Sequence, residues 1–147
     1  MIFKTIAIGA DHAGFESKEK IRKFIETDFP DIKVTDEGTY SSESADYPDF
    51  AHRVGEKVSR EAVEGGIVIC GSGNGVCITV NKHKRVRGAL SWTREIATLA
   101  RQHNNANVLC IPARFVSDET AIEMTKVFLT TVFEGGRHAK RADKIEL

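Results

Sequence analysis

The chain has 147 residues, 41% of them hydrophobic, with 21 basic against 21 acidic side chains and no formal net charge at pH 7. That length suits one domain with a proper core, and the charge balance offers no global field to draw the protein to nucleic acid or a membrane surface. No apolar run approaches the ~18 residues of a bilayer span, and three cysteines without a C-x-x-C pair fit a reducing cytoplasm rather than a disulfide framework.

The opening MIFKTIAIGADHAG turns polar too early for a signal peptide and reads as a first strand over 2–9. Phe15, Ile21, Phe24, Ile25 and Phe29 keep mostly helical spacing until Pro30 stops the helix. A second strand follows over 32–36, then a polar loop over 37–47 without periodicity. Pro48 suits a first helical turn, and Phe50, Val54, Val58 and Ala62 recur every four residues behind it. Ile67-Val68-Ile69 is a β-branched run between glycines and reads as a strand buried on both faces, closed by Cys70. A helix to about Lys84 and a fourth strand over 86–90 come next. Ile96, Leu99 and Ala100 mark the inner face of a helix ending near His103, and 108–111 form a fifth strand. Ala121, Ile122, Thr125, Phe128, Leu129 and Val132 mark a last long helix. Strands alternating with long helices predict a five-stranded parallel sheet with helices on both faces. Ligands of such folds sit beyond the carboxyl ends of the strands, where the strand order reverses.

Several polar groups fall at those ends. Cys70 precedes Gly71, Ser72, Gly73, Asn74 and Gly75, where missing side chains let backbone N–H groups converge on a ligand. A helix N-terminus aimed at that turn attracts anions and lowers the pKa of a neighbouring thiol. The pattern suits a thiolate base whose substrate becomes negative, with the Ser72 hydroxyl as an added donor; a cysteine serving only as a small core side chain is the competing reading. Cys77 and Cys110 lack that setting and read as core. GSGNG matches neither the dinucleotide fingerprint, since Val76 stands where glycine is needed, nor a P-loop. Asp11-His12 is either a helix cap with an exposed imidazole or a handle on a hydroxylated substrate. His103 either complements a helix dipole or serves as an acid–base group near neutral pH. Arg137 and Arg141, four apart, share one face if the segment after Gly135-Gly136 is helical. With Arg114 they would clamp a phosphate, which in a neutral chain suggests a small phosphorylated metabolite. The five histidines show no H-x-x-x-H or H-E-x-x-H spacing, so no metal site is expected.

These motifs together resemble the ribose-5-phosphate isomerase B family, which includes the galactose-6-phosphate isomerase subunits. The resemblance is carried by Gly9-Ala10-Asp11-His12-Ala13-Gly14-Phe15, Gly38-Thr39 with Asp46-Tyr47-Pro48, the 65–75 segment, and Asn81-Lys82 with Arg87. It continues through Arg101-Gln102-His103-Asn104, Asn107-Val108-Leu109, Arg114, and Glu134-Gly135-Gly136-Arg137-His138 with Arg141. Pro112 and Ser117 depart from the pattern, standing where glycines are common. The resemblance implies a Rossmann-like, doubly wound α/β fold with five parallel strands, and an aldose–ketose isomerase of ribose 5-phosphate and ribulose 5-phosphate, needing neither metal nor other cofactor. It implies a homodimer whose active sites are completed by the partner chain; whether dimers pair into a tetramer stays open. It also implies one isomerase domain over 1–147, in which 133–147 complete the phosphate site and the dimer. Cys70 matches the base that forms a cis-enediolate; where another branch uses a helix glutamate this chain has Val76. His103 matches the group that opens the furanose ring. Asp11, His12, Tyr47, Asn104 and the loop 71–75 match sugar contacts, and Arg114, Arg137 and Arg141 match phosphate ligands. The resemblance places His103, Asn104 and Arg114 on one subunit and most of the rest on the other. A hexose-6-phosphate isomerase and a non-catalytic sugar-phosphate-binding module remain open.

Overall fold

The computed structural model describes residues 2–147. Five parallel strands, β1 (Thr5–Ala10), β2 (Lys33–Asp36), β3 (Gly65–Cys70), β4 (Gly88–Leu90) and β5 (Val108–Pro112), lie in the order β2-β1-β3-β5-β4. Six helices connect or follow them: α1 (Phe15–Asp28), α2 (Tyr47–Ser59), α3 (Asn74–Val80), α4 (Arg94–Asn104), α5 (Asp118–Thr130) and α6 (Arg137–Asp143). The doubly wound parallel sheet expected from the sequence is the architecture found.

β3 and β5 are buried at every residue because both faces of the sheet are covered. Side chains alternate between two cores. Ile6, Ile8, Ile67, Ile69, Leu109 and Ile111 meet Ile21 and Ile25 of α1, Ala97 of α4 and Met124 and Phe128 of α5. Ala7, Val68, Cys70, Val108 and Cys110 meet Ala51, Val54 and Val58 of α2 and Val76 and Val80 of α3. Cys70 thus points toward the α2–α3 layer. β2 follows β1 on one side, and the chain then crosses through α2 to β3 on the other side of β1, so the order reverses between β1 and β3. Ala10 pairs with Ile69 there, which sets Asp11 beside Cys70.

Several boundaries and one face differ from the sequence reading: α2 ends at Ser59 and α5 at Thr130, before Ala62 and Val132, while β2 starts and β5 ends one residue later. β1 starts at Thr5, not residue 2, because the Ile2 N–H is spent on the Leu129 carbonyl at 3.0 Å. α3 stops at Val80 because the Asn81 side chain donates to the Cys77 and Gly88 carbonyls, both at 3.0 Å, and accepts from the Gly88 N–H at 2.8 Å. That clamp turns the chain straight into β4, which pairs only over 88–90. The inner face of α4 is Ala97, Ala100 and Arg101, while Leu99 is exposed. Arg101 is buried because its guanidinium donates to the Thr131, Ala106 and Asn105 oxygens and lies over the Phe3 ring. Desolvation lowers its pKa to about 10, so it stays charged at neutral pH.

Lys18, in the apolar face of α1, is wholly buried, and its ammonium donates to both Asp36 carboxylate oxygens at 2.8 Å and to Glu19 at 3.1 Å. Asp36 also accepts from the Gly38 N–H at 2.9 Å. A buried ammonium is tolerated only with such partners, and this one ties α1 to the loop leaving β2 toward the strand ends.

Candidate active site

A cavity of about 470 Å³ opens at the carboxyl ends of β1 and β3, lined by Asp11, His12, Ala13, Tyr47, Cys70, Gly71, Ser72, Gly75, Arg114 and Phe115. Cys70, the last residue of β3, is 5% exposed and lies on this wall rather than inside sealed hydrocarbon. Both readings of the cysteine therefore hold in part: it packs with the α2–α3 core and it faces the cavity.

The glycines around Cys70 each make room for a neighbour. A Cβ on Gly14 would sit 2.7 Å from the Ile69 carbonyl oxygen, so only glycine lets the loop after β1 lie against β3. A Cβ on Gly71 would be 3.2 Å from Arg114 Nη1, so the guanidinium lies across that peptide. Arg114 is held by its own N–H on the Gly71 carbonyl at 3.0 Å, next to an Ala113 N–H bond to the Cys70 carbonyl at 2.9 Å. Gly73 caps α3 at φ +73°, a conformation that favours glycine. Gly75 carries the Tyr47 ring, whose Cε1 lies 2.4 Å from where a Cβ would be. Ser72 Oγ accepts the Asn74 N–H at 3.3 Å, which leaves its hydroxyl proton for a ligand.

Asp11 is buried and its Oδ1 accepts the N–H groups of Ala13 at 3.0 Å and Gly14 at 3.2 Å. It shapes the loop while facing the cavity. His12 is half-buried rather than exposed, and its Nδ1 lies 3.2 Å from the Ala45 carbonyl and 3.1 Å from the Ala45 N–H. The ring pins the 37–47 loop and leaves Nε2 for a ligand.

His103, Asn104, Arg137 and Arg141 do not line this cavity. His103 is in the last turn of α4, with Asn104 exposed beside it. The segment after the glycine pair is helical, as α6, so Arg137 and Arg141 stand one turn apart, both exposed. His138 of α6 stacks on His103, ring centroids 4.1 Å apart and planes within 7°. Glu134 Oε1 lies 3.7 Å from His103 Nε2 and 3.6 Å from His138 Nε2. Loss of hydration, then His103 and Arg137, hold the His138 pKa below the usual histidine value. Arg114 is therefore grouped with Cys70, and Arg137 and Arg141 with His103. That division differs from the one the resemblance implies.

Phe115, 75% exposed on the cavity rim, escaped the sequence reading because an aromatic after Arg114 looks like core. Glu134 and His138 stood out only as part of a motif; their meeting with His103 needs α4 and α6 side by side. Other motif residues have architectural work: Asn107 accepts the Arg87 N–H at 2.7 Å and donates to the Arg85 carbonyl at 2.8 Å, while Arg87 bonds the Asn105 carbonyl at 2.8 Å.

Fold and cavity define a doubly wound α/β protein whose ligand cleft, at the topological switch point, presents a thiol, an imidazole and a guanidinium. A model described as Ribose/Galactose Isomerase matches residues 6–145, and the chain belongs to that family. It is 46% identical over 142 residues to a probable ribose-5-phosphate isomerase B of Mycoplasma genitalium, covering 95% of this chain and 92% of that protein. The crystal structure of a ribose 5-phosphate isomerase from Thermotoga maritima superposes with a TM-score of 0.92 at 44% identity, covering 97% of each chain. That of ribose-5-phosphate isomerase B from Mycoplasma genitalium with bound ribulose-5-phosphate superposes with a TM-score of 0.91 at 45% identity, covering 96% of this chain and 93% of that one.

Proposed function

We propose that the protein is a ribose-5-phosphate isomerase that interconverts D-ribose 5-phosphate and D-ribulose 5-phosphate in the non-oxidative branch of the pentose phosphate pathway. The observation that carries this reading is Cys70 facing a cavity at the strand switch, in a chain close to a relative whose structure holds ribulose-5-phosphate. The Cys70 thiolate removes the proton from C2 of the open-chain aldose. The electron pair moves onto the carbonyl oxygen and gives a cis-enediolate; the proton of the C2 hydroxyl passes to O1, and the thiol delivers its proton to C1 as the ketose carbonyl forms at C2. Backbone N–H groups of the 71–75 loop, with Ser72, meet the oxyanion; such preorganised donors contribute several kcal/mol.

His103 opens the furanose ring, with Asn104 holding the sugar, and Asp11, His12 and Tyr47 contact its hydroxyls. Arg114, Arg137 and Arg141 hold the phosphate away from the reacting carbons and keep the sugar in register. The Cys70 set and the His103 set occupy separate regions of one chain, which supports a homodimer in which each cavity is completed by the partner. Residues 133–147 then serve both the phosphate site and the dimer, within a single isomerase domain. Among the described residues no helix is long and apolar enough to cross a membrane, and a cytoplasmic location fits the three free cysteines.

The test is isomerisation of ribose 5-phosphate without added metal, with hydrogen exchange at C2 followed in deuterated water and six-carbon phosphates run in parallel. Turnover and exchange on the pentose support the reading. Higher catalytic efficiency on a hexose 6-phosphate moves the protein to the hexose branch, and binding without exchange leaves only a sugar-phosphate-binding module.

A further inference from the structure

His103 comes from α4, Glu134 and His138 from the stretch that enters α6, and their ligating atoms turn to one point. All three atoms lie within 4.8 Å of one another. We propose that these residues form a binding site for a divalent transition ion of the zinc class.

The distances carry the first part of the argument. Zinc bonds to imidazole nitrogen and carboxylate oxygen run about 2.0–2.2 Å, so tetrahedral ligand atoms stand roughly 3.3 Å apart. The Glu134 oxygen is 3.7 Å from His103 Nε2 and 3.6 Å from His138 Nε2. For the two Glu134 pairs the gap is a few tenths of an ångström, and the two imidazole nitrogens, within 4.8 Å of each other, close on the ion as the rings rotate. The two rings now lie nearly parallel, and coordination would splay them so that both lone pairs converge on the ion.

Ligand type carries the second part. Two nitrogens and one carboxylate favour zinc, cobalt or nickel over magnesium or calcium, which prefer oxygen. The frame is also held: His138 is buried against α4, and the Glu134 N–H donates to the Gln102 carbonyl at 3.1 Å. His103 and Glu134 are exposed enough to leave an entry path and at least one open coordination position. H-x-x-x-H and H-E-x-x-H searches miss the set because one histidine lies on another helix.

A consequence rests on the proposed function. If His103 opens the sugar ring, an ion on its Nε2 removes the lone pair that reaction uses, so zinc inhibits the isomerase reversibly.

The experiment titrates metal-stripped protein with zinc against a chromogenic chelator, and with cobalt followed by visible absorption. The expected result is about one ion per chain, with a cobalt spectrum of nitrogen and oxygen ligands lacking a thiolate charge-transfer band. His138→Ala and Glu134→Gln should each weaken binding at least about tenfold, since each removes one of three ligands, whereas Cys70→Ala should not. Thermal unfolding of the metal-free variants checks that they fold. A thiolate band, or zinc binding that survives His138→Ala and is lost in Cys70→Ala, overturns the proposal. In the activity arm, zinc should inhibit the wild type, a chelator should restore it, and His138→Ala should be less sensitive relative to its own zinc-free rate. Equal sensitivity of the two proteins overturns the proposal; if neither isomerises ribose 5-phosphate, the functional reading fails while the binding arm still decides the site.

Discussion

Replacing Cys70 by alanine separates chemistry from architecture. A positioned base contributes about 10²–10⁴-fold, so kcat should fall by that factor, or about 2.7–5.4 kcal/mol at about 1.36 kcal/mol per decade. The structural cost is much smaller. The sulfur is one heavy atom, 5% exposed, packed beside Val68 and Val76 on one side and open to the cavity on the other. Removing it costs about 1 kcal/mol, which in a chain of 147 residues lowers the melting temperature by about 2–4 °C. Affinity for ribose 5-phosphate should stay within about threefold, because the proposed phosphate ligands do not include the thiol. The assays are steady-state turnover in both directions, deuterium wash-in at C2, calorimetric binding and thermal unfolding. Cys70→Ser keeps the side chain's size but, lacking an accessible anion, should lose comparable turnover. Turnover within about threefold of wild type, with C2 exchange intact, would refute the assignment of the base. A collapse of the fold would instead show that the sulfur's packing had been underestimated.

Arg137→Ala should raise the Michaelis constant for the sugar phosphate by about tenfold or more, the value of a lost charge-assisted hydrogen bond. Its melting temperature should barely move, because the side chain is exposed. Gly14→Ala forces a Cβ to 2.7 Å from the Ile69 carbonyl oxygen; overpacking of this kind costs about 1–3 kcal/mol, read as a lower urea midpoint, and the displaced loop should also weaken substrate binding. His83 and His138 titrate below the ordinary value of 6.5 in the folded protein, chiefly through desolvation. The unfolded chain therefore binds more protons as the pH drops through that value, and stability should decline from about pH 7.5 to about pH 5.5. A urea midpoint that rises over the same interval would contradict the sign.

The strands, their parallel arrangement and the place of the thiol were legible in the sequence because they follow from local pattern. A β-branched run between glycines can only be comfortable as a strand covered on both faces, and Cys70 ends that run. Arg137 and Arg141 share a helical face through simple spacing after Gly135 and Gly136, whose φ values of +68° and +56° break the preceding segment. Family resemblance, not periodicity, supplied duties for Asp11, His12, Tyr47 and Asn104.

Other features exist only once the chain has folded. Lys18 looks like a misplaced charge in an apolar helix face until Asp36 arrives from β2 to receive it. The meeting of His103 with Glu134 and His138 and the gathering of Arg114 with Cys70 are likewise made by elements distant in sequence. Periodicity records how each segment meets water and core, a property of neighbours along the chain. Which charged group finds which partner depends on the order in which strands and helices are laid side by side, and that order is decided by packing the whole chain at once.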